Sequence, residues 1–205
     1  MMVCKSITKS DSDLLLNERG FNLIKDYSEL IVEAEFPVNS IVLDVATGTG
    51  RAAAILSRIV QKVITGDYDF TLKSESEKRI TDKFINKVLY VKLNLEKIPF
   101  PDNSIENIVC INTIHELQNP LTCLSEIIRI HSTKGKLLLS DFNTKGFNIM
   151  DELHKIQYGK VHTRGKISYD EIEDFVTQQY DVKKMINKDL NFGLILSGKK
   201  NDQTY

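Results

Sequence analysis

Two glycines one residue apart close an apolar run in Leu43-Asp44-Val45-Ala46-Thr47-Gly48-Thr49-Gly50-Arg51. Glycine lacks a Cβ, so such a loop adopts positive φ and lets its backbone approach a ligand closely. Gly48-x-Gly50-x-x-Ala53 fits a dinucleotide fingerprint, and Asp67 lies at about the spacing of a ribose-binding carboxylate. Asp44 argues for a different ligand. A dinucleotide loop rests pyrophosphate on the helix N-terminus that follows it, and a carboxylate upstream repels that group. The same carboxylate suits a cationic ligand or its ammonium group.

Other polar residues stand just after the remaining apolar runs. Asp67 of Gly66-Asp-Tyr-Asp69 can accept both hydroxyls of a ribose, with Tyr68 beside an adenine, and Asn94 can exchange hydrogen bonds with an adenine edge. Asn112-Thr-Ile-His-Glu-Leu-Gln-Asn-Pro120 places Asn112, His115 and Glu116 where the reacting end of a ligand would lie. Candidate general bases are His115, Glu116 and Asp141. His154, Tyr158 and His162 fall in a segment free of motifs and are the expected lining of an acceptor pocket. His154 and His162 with Asp141 or Glu116 show no recognised ligand spacing, so no metal is assigned. His131 is expected to cap a helix C-terminus.

The elements that must carry these residues follow from hydrophobic periodicity. Residues 11–36 read as one or two amphipathic helices ending before Pro37, with Gly20 the division. Short strands near 41–43, 63–64, 88–93, 105–111 and 136–140 alternate with helical segments, among them one opened by Asn119-Pro120. Gly135 is expected to end the connection before the fifth strand. Alternation of this kind predicts a parallel sheet covered on both faces, with ligands at the carboxyl ends of its strands. Residues 142–167 read as irregular and partly helical. Ser168–Glu171 is a capping box, and 180–185 with 191–197 forms a final antiparallel hairpin.

Bulk properties narrow the class. The 205 residues suit one domain: a helical segment at 1–39, a binding core at 40–141, and a substrate-side segment with the hairpin at 142–205. A net charge of −1 disfavours nucleic acid as partner. No stretch approaches the roughly 20 apolar residues of a membrane span, and Cys4, Cys110 and Cys123 lack metal or disulfide spacing. The expectation is a cytoplasmic protein, monomer or homodimer.

From Ser40 to Asp141 the chain resembles the class I S-adenosylmethionine-dependent methyltransferases. The likeness is to the branch that includes quinone-biosynthesis enzymes and other small-molecule (type 11) methyltransferases. Three linked motifs carry it: Val42 to Gly50, Ile98-Pro-Phe-Pro-Asp-Asn-Ser104, and the helix leading into Lys136 to Asp141. The resemblance implies a Rossmann-like, doubly wound α/β sheet of seven strands, mostly parallel with the last reversed. It further implies S-adenosylmethionine as cofactor, with Asp44 and the Ala46, Thr47, Gly48, Gly50 loop at its methionine part. Asp67 would take the ribose, with Tyr68, Asn94 and Leu95 at the adenine. Many relatives have aspartate where this chain has Asn94. Asn112 joins the cofactor set, and a small molecule is the implied acceptor. The alternatives are a NAD-dependent oxidoreductase and a non-catalytic binding protein.

Overall fold

The computed structural model describes residues 7–162, 164–165 and 167–200; Cys4 lies outside them. Its centre is a seven-stranded sheet in the order β3-β2-β1-β4-β5-β7-β6. The strands are β1 (Ile41–Val45), β2 (Lys62–Asp67), β3 (Val88–Lys92), β4 (Ile105–Ile111), β5 (His131–Phe142), β6 (Tyr180–Asn187) and β7 (Asn191–Lys199). β1 to β5 pair in parallel, and β7 runs antiparallel to both β5 and β6. The expected sheet with a reversed last strand is therefore present.

Successive strand residues face opposite sides, and the sequence fills both sides. Val42, Val109 and Leu138 point to a core shared with α1 (Asp11–Glu18), α2 (Leu23–Ala34), α3 (Arg51–Leu56) and α7 (Thr144–Tyr158). Their neighbours Leu43, Ile108, Cys110, Leu137 and Leu139 point to the other core, beneath α6 (Pro120–Ile130) and α8 (Tyr169–Thr177). Two short helices, α4 (Lys73–Ile80) and α5 (Asp82–Ile85), precede β3.

Several local expectations change. Residues 144–158 are one helix, begun by the Asn143 side chain, which accepts from the Gly146 amide at 2.8 Å, and ended by Gly159 at φ 69°. The moderate apolar periodicity of this stretch hides it; its two caps are the readable signal. Gly135 lies inside β5, where a Cβ would sit 1.5 Å from the Glu106 carbonyl oxygen, so it marks close backbone approach and ends nothing. Asn119 precedes α6, but its amide donates to Glu96 and makes no cap bond. His131 follows α6 without acting as a charged cap. It is fully buried, and Nε2 donates to the Glu106 carbonyl (3.1 Å), so Nδ1 accepts from the Tyr180 hydroxyl (2.9 Å). Burial pushes its pKa down to about 4.

Candidate functional site

The carboxyl ends of β1, β2 and β4 open on a cleft of about 740 Å³ lined by Asp44, Gly48, Asp67, Leu95, Asn112 and Glu116, among others. Its floor is the turn after β1. Ala46 (φ 63°) and Gly48 (φ 49°) are both left-handed, and Gly50 (φ 79°) begins α3 where any Cβ would meet Ser76. The turn is tied to β2 from three directions. The Thr47 amide donates to the Gly66 carbonyl at 2.9 Å, and the Gly48 amide to Asp67 at 2.8 Å. The third tie joins hydroxyls. Thr65 donates to Asp44 at 2.7 Å, which leaves Thr47 to donate to Thr65 at 2.7 Å.

Asp44 is 2% exposed. Burial pushes its pKa up to about 7, reinforced by the charge of Asp67; hydrogen bonds from Thr65 and the Ala53 backbone only partly offset this. A buried carboxylate so poorly compensated favours a cation beside it. Asp44, Asp67 and Glu116 all line the cleft, whereas its cation Arg51 is already paired with Asp13 at 2.8 Å. A diphosphate finds no free charge partner in that set, and the dinucleotide reading loses its support.

The remaining expected residues fall as follows. Tyr68 lines the cleft with 69% of its surface exposed, Leu95 is buried, and Asn94, also on the lining, accepts from the Glu96 amide through its side-chain oxygen. Asn112, at φ 54°, accepts through Oδ1 from Asn191 Nδ2 at 2.5 Å. Asn191 Nδ2 also reaches the Asp141 carbonyl, which can only accept, so the assignment is fixed and Asn112 Nδ2 is left as a buried donor without a partner. An orphaned donor on a cleft wall is a place for a ligand acceptor atom.

His115 and Glu116 sit in a 3₁₀ turn, Ile114–Glu116, just after β4. Asp141, near the end of β5, accepts from His115 Nδ1 at 2.5 Å and from the His115 amide at 3.0 Å. Its carboxylate also accepts from the Phe142 amide, so it orients His115 and stands off the cleft lining. The His115 ring packs against Phe142 and Phe147, with centroids 5.5 and 5.2 Å away. Burial opposes a charge on it, but hydrogen bonds to Asp141 and Glu116 prevail and push its pKa up to about 9. In this state His115 holds its proton at neutral pH and is not a free base. His162 reaches it from the far side at 2.8 Å, Nε2 to Nε2, and burial together with the His115 charge holds the His162 pKa below the usual range. His154 lies 3.2 Å from His162 Nδ1, while Tyr158, 63% exposed, stacks edge-on against His154 with centroids 5.2 Å apart. The structure thus gathers the histidines from three segments behind Glu116. Of the expected catalytic and acceptor residues, Glu116 alone lines the cleft among the described residues.

Sequence reasoning missed one device. Asp13 of α1, 3% exposed, binds Arg51 at 2.8 Å and Arg79 at 2.6 Å, and Arg79 in turn donates to the Thr49 carbonyl at 2.8 Å. Burial alone would raise the Asp13 pKa; the two guanidinium groups more than offset this and bring it to about 2. The N-terminal helix is thereby bolted to the glycine turn. Asp13 meets Arg51 and Arg79 across 38 and 66 residues of sequence, a pairing that leaves no local signal.

A family model described as a methyltransferase domain matches residues 43–139. The chain is similar to the ubiquinone/menaquinone biosynthesis C-methyltransferase UbiE of Blochmanniella pennsylvanica, with 24% identity over 90% of this chain and 77% of that one. UbiE of Shewanella pealeana is 27% identical over 74% of this chain, which spans 65% of that relative's length. Among solved structures, a candidate S-adenosyl-L-methionine-dependent methyltransferase from Methanococcus maripaludis superimposes with a TM-score of 0.65 at 18% identity, covering 97% of this chain and 99% of its own. The last likeness speaks for the fold alone.

Proposed function

We infer, from the premise that this chain belongs to the class I S-adenosylmethionine-dependent methyltransferases, that it methylates a small-molecule acceptor held between the cofactor and the Glu116 wall of the cleft. The observation that carries the reading is the pairing of unsatisfied groups at the turn after β1 and the end of β4. Asp44 is a buried carboxylate suited to the cofactor's ammonium group, and Asn112 Nδ2 is a buried donor suited to its carboxylate. The chain's own residues therefore fit the group. Asp44 and the Ala46–Gly50 turn would hold the methionine part and Asp67 the ribose, with Tyr68, Asn94 and Leu95 at the adenine.

When bound, the cofactor supplies a methyl group on a sulfonium, which is activated for in-line displacement. The work left to the protein is alignment and exclusion of water, worth an effective molarity of roughly 10⁵–10⁸ M in well-oriented systems. Rigidity of the turn serves that alignment: left-handed residues at 46, 48 and 50, the hydroxyl chain to Asp44, and the Asp13 clamp fix it from below. Glu116 orients the acceptor, and Asp141 is a positioning residue that acts through His115. The UbiE relatives methylate carbon, which makes a cyclic carbon acid or phenol-like ring the first acceptor class to try.

The test is transfer of labelled methyl from S-adenosylmethionine in the presence of an extract separated by size. Label in the low-mass fraction supports the reading. Label confined to protein or nucleic acid, or no transfer to either fraction, overturns it.

A further inference from the structure

The cluster behind Glu116 has an arrangement that methyl transfer does not require. His115 Nε2, His162 Nε2 and Glu116 Oε1 form a close triangle, separated by 2.8 Å between the nitrogens and by 3.6 and 3.4 Å from each nitrogen to the carboxylate oxygen. Bonds of about 2.0–2.1 Å to a divalent transition metal place neighbouring ligand atoms about 2.9 Å apart in octahedral and about 3.3 Å apart in tetrahedral geometry. The three separations bracket those values. Movement of a few tenths of an ångström would seat an ion where a shared proton now joins the two imidazoles.

The outer contacts point the same way. A ligating histidine nearly always donates its other ring nitrogen to a partner that fixes the tautomer and the ring plane. Here Asp141 holds His115 Nδ1 at 2.5 Å, and His154 stands 3.2 Å from His162 Nδ1. Both rings therefore turn Nε2 inward. Phe142 and Phe147 pack against the His115 ring, and Phe142 also meets His162 edge-on with centroids 6.4 Å apart, giving the two nitrogens an apolar backing. Both histidines are buried (5% and 7% exposed), and Glu116 faces the cleft. Two protein nitrogens and one carboxylate leave coordination positions open on the cleft side.

We propose that His115, His162 and Glu116 form a binding site for a divalent first-row transition metal ion of the zinc type, open to a further ligand from the cleft. Sequence spacing carries no such hint because the ligands come from the end of β4 and from the segment after α7, joined only by the fold. Nitrogen-rich donors favour zinc, iron(II) or cobalt(II) over magnesium, which prefers oxygen. The inference stands apart from the cofactor assignment.

The experiment uses the full chain stripped with a chelator, titrated with zinc chloride by calorimetry, and loaded with cobalt(II) for visible absorption. One zinc per chain is expected, with d–d bands from cobalt. Glu116→Gln, an exposed position that leaves the core intact, and His162→Gln should each weaken zinc by at least tenfold; His154→Gln, an outer partner, should cost about 10–100-fold. Circular dichroism checks that each variant is folded. No zinc uptake by the folded wild-type chain overturns the proposal, as does uptake that Glu116→Gln and His162→Gln both leave unchanged. Binding of S-adenosylhomocysteine, measured in parallel, reports separately on the cofactor reading.

Discussion

Replacing Asp13 by asparagine removes the anion that two arginines share. Arg79 is 1% exposed, and among the described residues its guanidinium would keep the Thr49 carbonyl and hydroxyl but no carboxylate closer than Glu75 at 3.8 Å. Removing one member of a buried ion pair costs about 3–5 kcal/mol because the other charge stays desolvated. In a chain of this size 1 kcal/mol moves Tm by about 2–4 °C, so a loss on the order of 10 °C is expected by calorimetry or circular dichroism. The turn beneath the cleft should loosen as well, because Arg79 positions Thr49 and Arg51 lines the cleft, so cofactor affinity should fall along with stability. A double-mutant cycle with Arg79→Met separates the terms: the double variant should cost clearly less than the sum of the two singles, the remainder being Arg51 left without its anion. A single-variant loss below about 1 kcal/mol, or a double variant as damaged as the sum of the singles, would refute the clamp.

If Asp44 meets the cofactor's ammonium group as proposed, binding should depend on pH. With its pKa near 7 in the free protein, the carboxyl must lose its proton to meet an ammonium group, so S-adenosylhomocysteine should bind about 50-fold more weakly at pH 5 than at pH 7. Asp44→Asn should flatten that profile while weakening binding; an unchanged profile would count against the pairing. Acid stability divides into two windows. His131 is neutral when folded down to about pH 4 but charges near 6.5 when unfolded, so its contribution is present above pH 6.5 and lost as pH falls to 4, an effect of about 3 kcal/mol absent from His131→Gln. Asp13, depressed to about 2, contributes above its unfolded value of 3.8 and loses that contribution between 3.8 and 2, another roughly 2 kcal/mol. Urea melts at stepped pH read both.

The strand–turn–helix core is legible in the sequence because its signals are local. An apolar run, two glycines and a helical stretch place β1, the turn and α3 without help from the rest of the chain, and Asp44 argues against pyrophosphate there, although the sequence leaves the NAD alternative open. Residues 142–167 are opaque for the opposite reason. Asn143 and Gly159 mark a helix that its weak apolar stripe conceals, and the meeting of His162 with His115 is a product of the strand crossover that brings β5 beside β4. The cleft's edge at Tyr68 and Asn94 follows from position along the chain, whereas the Asp13 clamp needs the packed chain. His131 shows the limit of reading by place: its position after a helix suggests a charged cap, and complete burial makes it neutral instead.

The central claim is that the cleft after β1 holds S-adenosylmethionine. Calorimetric titration of the full chain with S-adenosylhomocysteine at pH 7 tests it most directly. One equivalent bound per chain, weakened by Asp44→Asn, is the predicted result; no detectable binding, or binding of NADH in its place, would contradict it.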